Sequence, residues 1–162
     1  MNSRRRRVFH VRGFSIVEAL VALVVLSVGM LGIAALYVES LRAGRTAVYR
    51  TQAVNLAADM ADRIRANRAA TNWALPVGAN PAEHLECING GVTCTPEQLA
   101  EGDQFSWRKS INDELPGNGA TPASGTIDVD AVASPPQYQI TVTWFEPGGD
   151  PAGSTYILTM QT

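Results

Sequence analysis

The sequence predicts an α+β fold in which a long N-terminal helix packs on a small antiparallel sheet. The first observation is that residues 14–38 form an apolar run of 25 residues with one charged side chain, Glu18. The second is that a helical period continues without proline to residue 68. The third is that apolar residues recur at every second position after residue 125, which indicates strands. Helix first and strands last is the order of an α+β fold.

The apolar run is long enough to cross a membrane. Residues 19–38 carry no acidic or basic side chain, and a helix of that length measures about 30 Å, the thickness of a bilayer's hydrocarbon core. Five of the 13 basic residues precede Gly13, and no acidic residue does. Arginines before an apolar helix remain in the cytoplasm. We therefore expect a single-pass inner-membrane chain with a cytoplasmic N-terminus and a periplasmic C-terminal part.

Two simpler interpretations of this run stay open. A cleaved secretory signal peptide has 7–15 apolar residues and a small-x-small cleavage site. The run here is longer and has no clear site of that kind, which disfavours cleavage after it. A plain single-pass anchor is the stronger alternative, but it gives no reason for Glu18, because a charge near the hydrocarbon costs several kcal/mol.

The composition excludes several functions. A chain of 162 residues accommodates one domain besides the apolar run. The part after Gly13 holds 8 basic and 15 acidic residues, a net charge of −7, so we expect no nucleic-acid partner. It has no phosphate-binding glycine loop, and His84 is the one histidine beyond the N-terminal segment. We therefore expect no catalytic activity and no cofactor.

The helix is predicted to continue beyond the membrane as an amphipathic half, residues 39–68. Its apolar residues fall on one helical face and need a cover from the rest of the domain. This stripe consists of Ala53, Leu56, Ala57, Met60, Ala61 and Ile64. Glycines and prolines then indicate a loop over residues 69–91, in which Trp73 and Leu75 are the expected anchors.

Cys87 and Cys94 enclose a short segment with a turn sequence at residues 89–91. In an oxidising compartment two such cysteines form a disulfide. A zinc site that adds His84 is the alternative, but three ligands without a fourth indicate it only weakly.

A second helix is predicted to begin after Thr95, with Pro96 in its first turn and a capping box completed by Gln98. Its buried face is Trp107, Ile111 and Leu115, at helical spacing. Gly102-Asp103 is expected to divide this helix in two. Three strands follow, around residues 127–130, 138–144 and 155–160, the last two joined as a hairpin by the loop 147–151.

The acidic residues of this sheet could form a calcium site. Asp128 and Asp130, together with Glu146 or Asp150, offer the oxygen ligands that calcium prefers. Solvated side chains on the outer face of the sheet are the simpler explanation, and we expect no metal.

A cut between Gly13 and Phe14 would give Glu18 a structural role. The cut leaves the apolar helix attached and creates an α-amine on Phe14, four residues before the carboxylate. In a bundle of staggered helices, the Glu18 of one subunit could pair with the amine of a neighbour. Because either charge is costly when it is buried alone, such a pair would fix the stagger.

The segment Gly13-Phe14-Ser15-Ile16-Val17-Glu18, after its arginines and before its apolar run, resembles the class III signal of type IV prepilins and type II secretion pseudopilins. The resemblance implies that a prepilin peptidase cuts after Gly13 and methylates Phe14, and that Glu18 is the acid that pairs subunits. It also implies a type IV pilin-like fold with four parts: a basic leader (1–13), a transmembrane and filament-core half (14–38), an amphipathic half (39–68) and a periplasmic α+β part (69–162).

Further patches resemble the PilV group of minor pilins, at residues 59–67, Trp107, 115–119 and 138–144. This resemblance implies a low-abundance subunit that primes pilus assembly and resides at the pilus tip. Its implied partners are the other minor pilins, the major pilin and a tip adhesin. A type II secretion pseudopilin shares the same N-terminal signal and fold, and it remains the nearest alternative.

Overall fold

The computed structural model describes residues 13–88 and 92–162. The leader up to Arg12 and the turn predicted at residues 89–91 lie outside the described residues. The chain divides into two compact units, Met1–Gly44 and Arg45–Thr162.

The first helix, α1, runs from Ile16 to Ala66 and has 51 residues. The predicted long helix is thus confirmed. No proline interrupts it, Glu18 lies in its first turn, and Arg63 and Arg65 lie in its last turn. These charges suit the helix dipole, which is positive at the N-terminus and negative at the C-terminus.

In the second unit, the C-terminal part of α1, residues 45–66, contributes one side of the core. The buried residues of α1 are the six of the predicted stripe, each at most 6% exposed. They pack in one cluster with the apolar residues of the sheet and of a further helix, α3, Pro96–Glu114. The amphipathic pattern therefore identified the buried face of the helix correctly.

The sheet has three antiparallel strands: β1, Ser124–Asp130; β2, Gln137–Trp144; and β3, Ser154–Gln161. Their order is β1-β2-β3, and β2 pairs with β3 along its whole length. The three predicted strands and the final hairpin are confirmed. Three inward residues of β2, Ile140, Val142 and Trp144, are at most 1% exposed, and the partly buried Tyr138 packs against the same core.

The helix α3 runs without interruption from Pro96 to Glu114, so the predicted break at Gly102-Asp103 was wrong. One core-facing row of the helix, which includes Trp107, continues on both sides of this dipeptide, and its burial outweighs the low helix propensity of glycine. The predicted capping box is present: the Gln98 N–H bonds to Thr95 Oγ1 at 3.2 Å, and the Thr95 N–H bonds to Gln98 Oε1 at 2.9 Å.

Trp107 joins α3 to both neighbouring elements. It is fully buried, and its indole N–H donates to the carbonyl oxygen of Leu56 in α1 at 2.8 Å. On the other side its ring lies against β1 at Gly125, where a Cβ would come within 2.4 Å of Trp107 Cζ3. A glycine is therefore required at this point of the strand.

The loop after α1 is anchored as predicted, because Trp73 and Leu75 are each 1% exposed. Leu75 also exchanges both backbone hydrogen bonds with Ile127 of β1, at 2.9 and 3.0 Å. The loop is thereby hydrogen-bonded to the outer edge of β1 at one residue, which the sequence did not indicate. A short helix, α2, from Leu85 to Ile88, was also not predicted.

Candidate assembly site on the N-terminal helix

The predicted cleavage site lies just outside the helix. Residues 13–15 have no regular structure, and the first helical hydrogen bond joins the Ala19 N–H to the Ser15 carbonyl oxygen at 3.1 Å. The side chain of Phe14 is 75% exposed. A Cβ at Gly13 would meet no atom within 4 Å, so nothing in the described part of the chain requires a glycine there.

Glu18 lies in the first turn of α1 and is exposed. A carboxylate in this position is favoured by the partial positive charge of the helix N-terminus. Among the residues that the structure describes, none forms an ion pair or a side-chain hydrogen bond with it. Its position four residues after Phe14 is the spacing that the pairing hypothesis needs.

The N-terminal part of α1, up to Leu41, is exposed on every side. Each large apolar side chain from Phe14 to Leu41 is between 49% and 81% exposed. This is the helix that is long and apolar enough to cross a membrane. Ser27 donates its hydroxyl to the carbonyl oxygen of Leu23 at 2.7 Å, so its polar side chain is satisfied within the helix. Such a surface must be covered by lipid or by other apolar helices.

The disulfide between Cys87 and Cys94 is formed, as predicted. One group of possible metal ligands occurs in the described residues, namely His84, Glu86 and Cys87. The sulfur of Cys87 is bound to Cys94 and is not a thiolate, so this group offers only two ordinary zinc ligands. The geometry thus favours the disulfide over the zinc alternative.

His84 instead joins the disulfide segment to α3. Its Nε2 lies 3.0 Å from Glu101 of α3, and its Nδ1 lies 2.9 Å from Glu86 of α2. The bond to Glu101 and then the bond to Glu86 raise the pKa of His84 above its usual value. The same bonds hold the pKa values of both carboxyl groups below their usual range. The sequence does not indicate this cluster, because Glu101 belongs to a distant element.

The residues of the calcium hypothesis do not meet. In the pairing of β1 with β2, Asp128 lies opposite Gln139, and Glu146 follows seven residues further along the chain. That separation is about 20 Å along the strand direction. Glu146 instead accepts hydrogen bonds from Thr46 of α1 at 2.5 Å and from Trp144 at 3.2 Å.

Two protein-family models match the chain. The prokaryotic N-terminal methylation motif matches residues 9–34, and the type IV pilin Tt1218 family matches residues 35–105. No curated protein and no solved structure matches. The first match covers the predicted cleavage site and Glu18, and the second covers the rest of α1 and the first half of α3.

The fold and these matches define a type IV pilin with a class III signal. The chain therefore has the role of a pilin or pseudopilin: a subunit that its apolar helix anchors in a membrane and that is later incorporated into a filament. The family implies assembly with other pilins and processing by a prepilin peptidase in general.

Proposed function

We propose that this chain is a minor pilin of a type IV pilus, closest to the PilV group, that helps to prime pilus assembly. The observation that carries the proposal is the N-terminal geometry. The bond between Gly13 and Phe14 is exposed and lies outside regular structure. It is followed by an apolar helix whose side chains are exposed and whose first turn contains Glu18.

The prepilin peptidase cuts this bond and methylates the new N-terminus of Phe14. A membrane peptidase must bind the backbone on both sides of the bond, and this is possible only where the chain is not already hydrogen-bonded in a helix. The break between the non-helical residues 13–15 and α1 meets this condition. Glycine before the cut admits a close approach of the enzyme because it has no side chain.

Before assembly the helix lies in the inner membrane. Tyr37 lies 21 residues after Ile16, the first residue of α1, which is about 32 Å of helix, and Phe14 lies two residues before Ile16. The two rings therefore reach the two interfaces where aromatic side chains concentrate. Glu18 then lies two residues after Ile16, about 3 Å of helix, near the boundary of the hydrocarbon. At this depth a carboxylate gains from any nearby positive charge.

In the filament the same helix packs against the helices of neighbouring subunits. Glu18 of one subunit pairs with the amine of a neighbouring one, and this pairing selects the stagger in which no charge is left buried alone. The partners are the other minor pilins and the major pilin, and a tip adhesin completes the complex. The chain acts by binding and packing, without a catalytic function.

The test is the mass of the N-terminal peptide in sheared pili. We expect the subunit to occur there at low abundance with N-methylated Phe14 at its N-terminus. The matched control is the membrane fraction of cells without prepilin peptidase, where Met1 or the intact Gly13–Phe14 bond is expected. A subunit that enters pili with its leader attached would contradict the proposal.

Deletion of this subunit separates a role in the pilus from a role in protein secretion. Deletion of a priming subunit lowers the number of surface pili and leaves the secretion of folded proteins unchanged. If deletion instead abolishes secretion and pili are normal, the chain is a type II secretion pseudopilin. If neither changes and the leader is never removed, it is a plain membrane-anchored protein.

A further inference from the structure

The two edges of the sheet differ in how they are covered. The outer edge of β1 is bonded to Leu75 through Ile127, and this strand also carries Asp128 and Asp130. The outer edge of β3 has no such cover: no hydrogen bond within residues 13–88 and 92–162 joins residues 155–161 to anything but β2. Unpaired strand edges are the places where another chain can add a strand.

The register shows which peptide groups of β3 are free. Ile127 exchanges both of its bonds with Leu75, so its N–H and C=O point away from β2. Along an antiparallel ladder, successive residues direct their N–H and C=O groups to opposite sides of the strand. Thr126 and its partner Thr141 are therefore hydrogen-bonded to each other. The N–H and C=O groups of Ile140 point the other way, to Leu158 of β3. The outward N–H and C=O groups of β3 therefore belong to Thr155, Ile157, Thr159 and Gln161.

The inner face of the sheet is incompletely covered at the same edge. The inward side chains of the central strand, such as Ile140 and Val142, are fully buried. Tyr156 and Leu158 of β3 contact the same core but remain half-buried. On the outer face Ile157 is 53% exposed. A fourth strand would bury the free sides of these apolar residues.

The edge also lacks the devices by which proteins prevent strand addition. Residues 154–161 include no charged residue, no proline and no glycine, although the second unit is acidic as a whole. Natural edge strands usually carry a lysine, a proline or a bulge. A charged side chain placed against Tyr156 and Leu158 would be buried without a counter-charge, so a segment that pairs with this edge must be uncharged on its core-facing side.

We propose that β3 receives an extended segment of another pilin subunit, uncharged on its core-facing side, as a fourth strand of this sheet. This inference rests on the proposed function, in which the chain assembles with other subunits. Main-chain hydrogen bonds to the four outward residues give the affinity. The alternating side chains of the incoming segment give the specificity: apolar ones cover Tyr156 and Leu158, and those on the other side lie beside Ile157.

The test compares Thr159→Pro with Thr159→Ala in the full chain. Proline removes an outward N–H and leaves the bonds to β2 intact, and it is tolerated at the edge of a sheet. Alanine removes the same exposed side chain but keeps the N–H, so it is the matched control. We expect the amount of Thr159→Pro subunit in sheared pili to fall at least tenfold, with an unchanged amount in the membrane, while Thr159→Ala behaves like wild type.

A second measurement protects the test against a variant that does not fold. In the wild-type chain, the amides of Ile157, Thr159 and Gln161 should exchange with solvent at least tenfold more slowly in pili than in the membrane-anchored subunit. Equal incorporation of both variants, or unchanged exchange, would overturn the fourth strand. A proline-sensitive dimer of this chain alone would overturn it in favour of a second copy. Absence of the wild type from pili would refute the proposed function instead.

Discussion

Gly125→Ala is predicted to destabilise the second unit strongly, although it adds a single methyl group. The new Cβ would lie 2.4 Å from Cζ3 and 2.5 Å from Cη2 of Trp107, and 2.6 Å from Cδ1 of Ile111. Ordinary contacts between carbon atoms are about 3.5–4.0 Å. The indole ring or the strand must therefore move by about 1 Å.

The ring has no free direction in which to move. Trp107 is fully buried, and its N–H is held by the Leu56 carbonyl oxygen at 2.8 Å. Overpacking of a core costs about 1–3 kcal/mol, and the loss of this hydrogen bond adds about 0.5–1.5 kcal/mol. The gain in backbone entropy from replacing glycine offsets about 0.4–1 kcal/mol. We expect the free energy of unfolding to fall by about 2–3 kcal/mol.

The assay is thermal unfolding of the full chain in detergent, followed by tryptophan fluorescence. For a unit of this size the expected loss lowers the unfolding midpoint by roughly 10 °C. The matched control is Gly44→Ala, because a Cβ at Gly44 meets no atom within 4 Å and alanine favours the helix by about 1 kcal/mol. A Gly125→Ala midpoint equal to that of wild type would refute the packing argument. Partial recovery in the double variant with Trp107→Phe would support it.

Two further predictions concern charged side chains. Glu18→Gln should lower incorporation into pili at least tenfold without changing membrane insertion, because it removes one partner of the proposed pair. The control is Glu39→Gln, at the far end of the apolar run. Equal incorporation of both variants would contradict the pairing. His84 stabilises the folded chain when protonated. Because its pKa is raised, this contribution is complete below pH 6.5 and is lost as the pH rises through the higher folded-state pKa. The unfolding midpoint of wild type should thus fall more between pH 6 and pH 8.5 than that of His84→Gln, and equal falls would contradict the role of His84.

The features that could be predicted from the sequence depend on local periodicity or on the thickness of the membrane. The length of the apolar run reports membrane thickness, which is the same for every chain. The stripe from Ala53 to Ile64 and the alternation in β2 report which side is buried. Thr95 and Gln98 form a capping box through bonds three residues apart. Each of these signals is contained in a few neighbouring residues.

Contacts between distant residues could not be predicted in the same way. The helical period of α3 shows that Trp107 faces inward, but not that it meets Leu56, which lies 51 residues earlier. The low helix propensity of Gly102 predicts a break in α3, but burial of the surrounding row of side chains keeps the helix continuous. The cluster of His84 with Glu86 and Glu101 likewise joins two helices whose association no local pattern reveals.

The bridge between Leu75 and Ile127 shows how much one such contact determines. Alternation alone tells which side chains of β3 face the core, but not which peptide groups face β2. The bridge fixes the direction of the Ile127 peptide groups, and the register carries that direction across the sheet to β3. A loop on one edge thus identifies the free hydrogen-bonding groups on the other. It follows that Thr159→Pro and Leu158→Pro, though adjacent, should differ: the first leaves the sheet intact, and the second breaks a bond to Ile140.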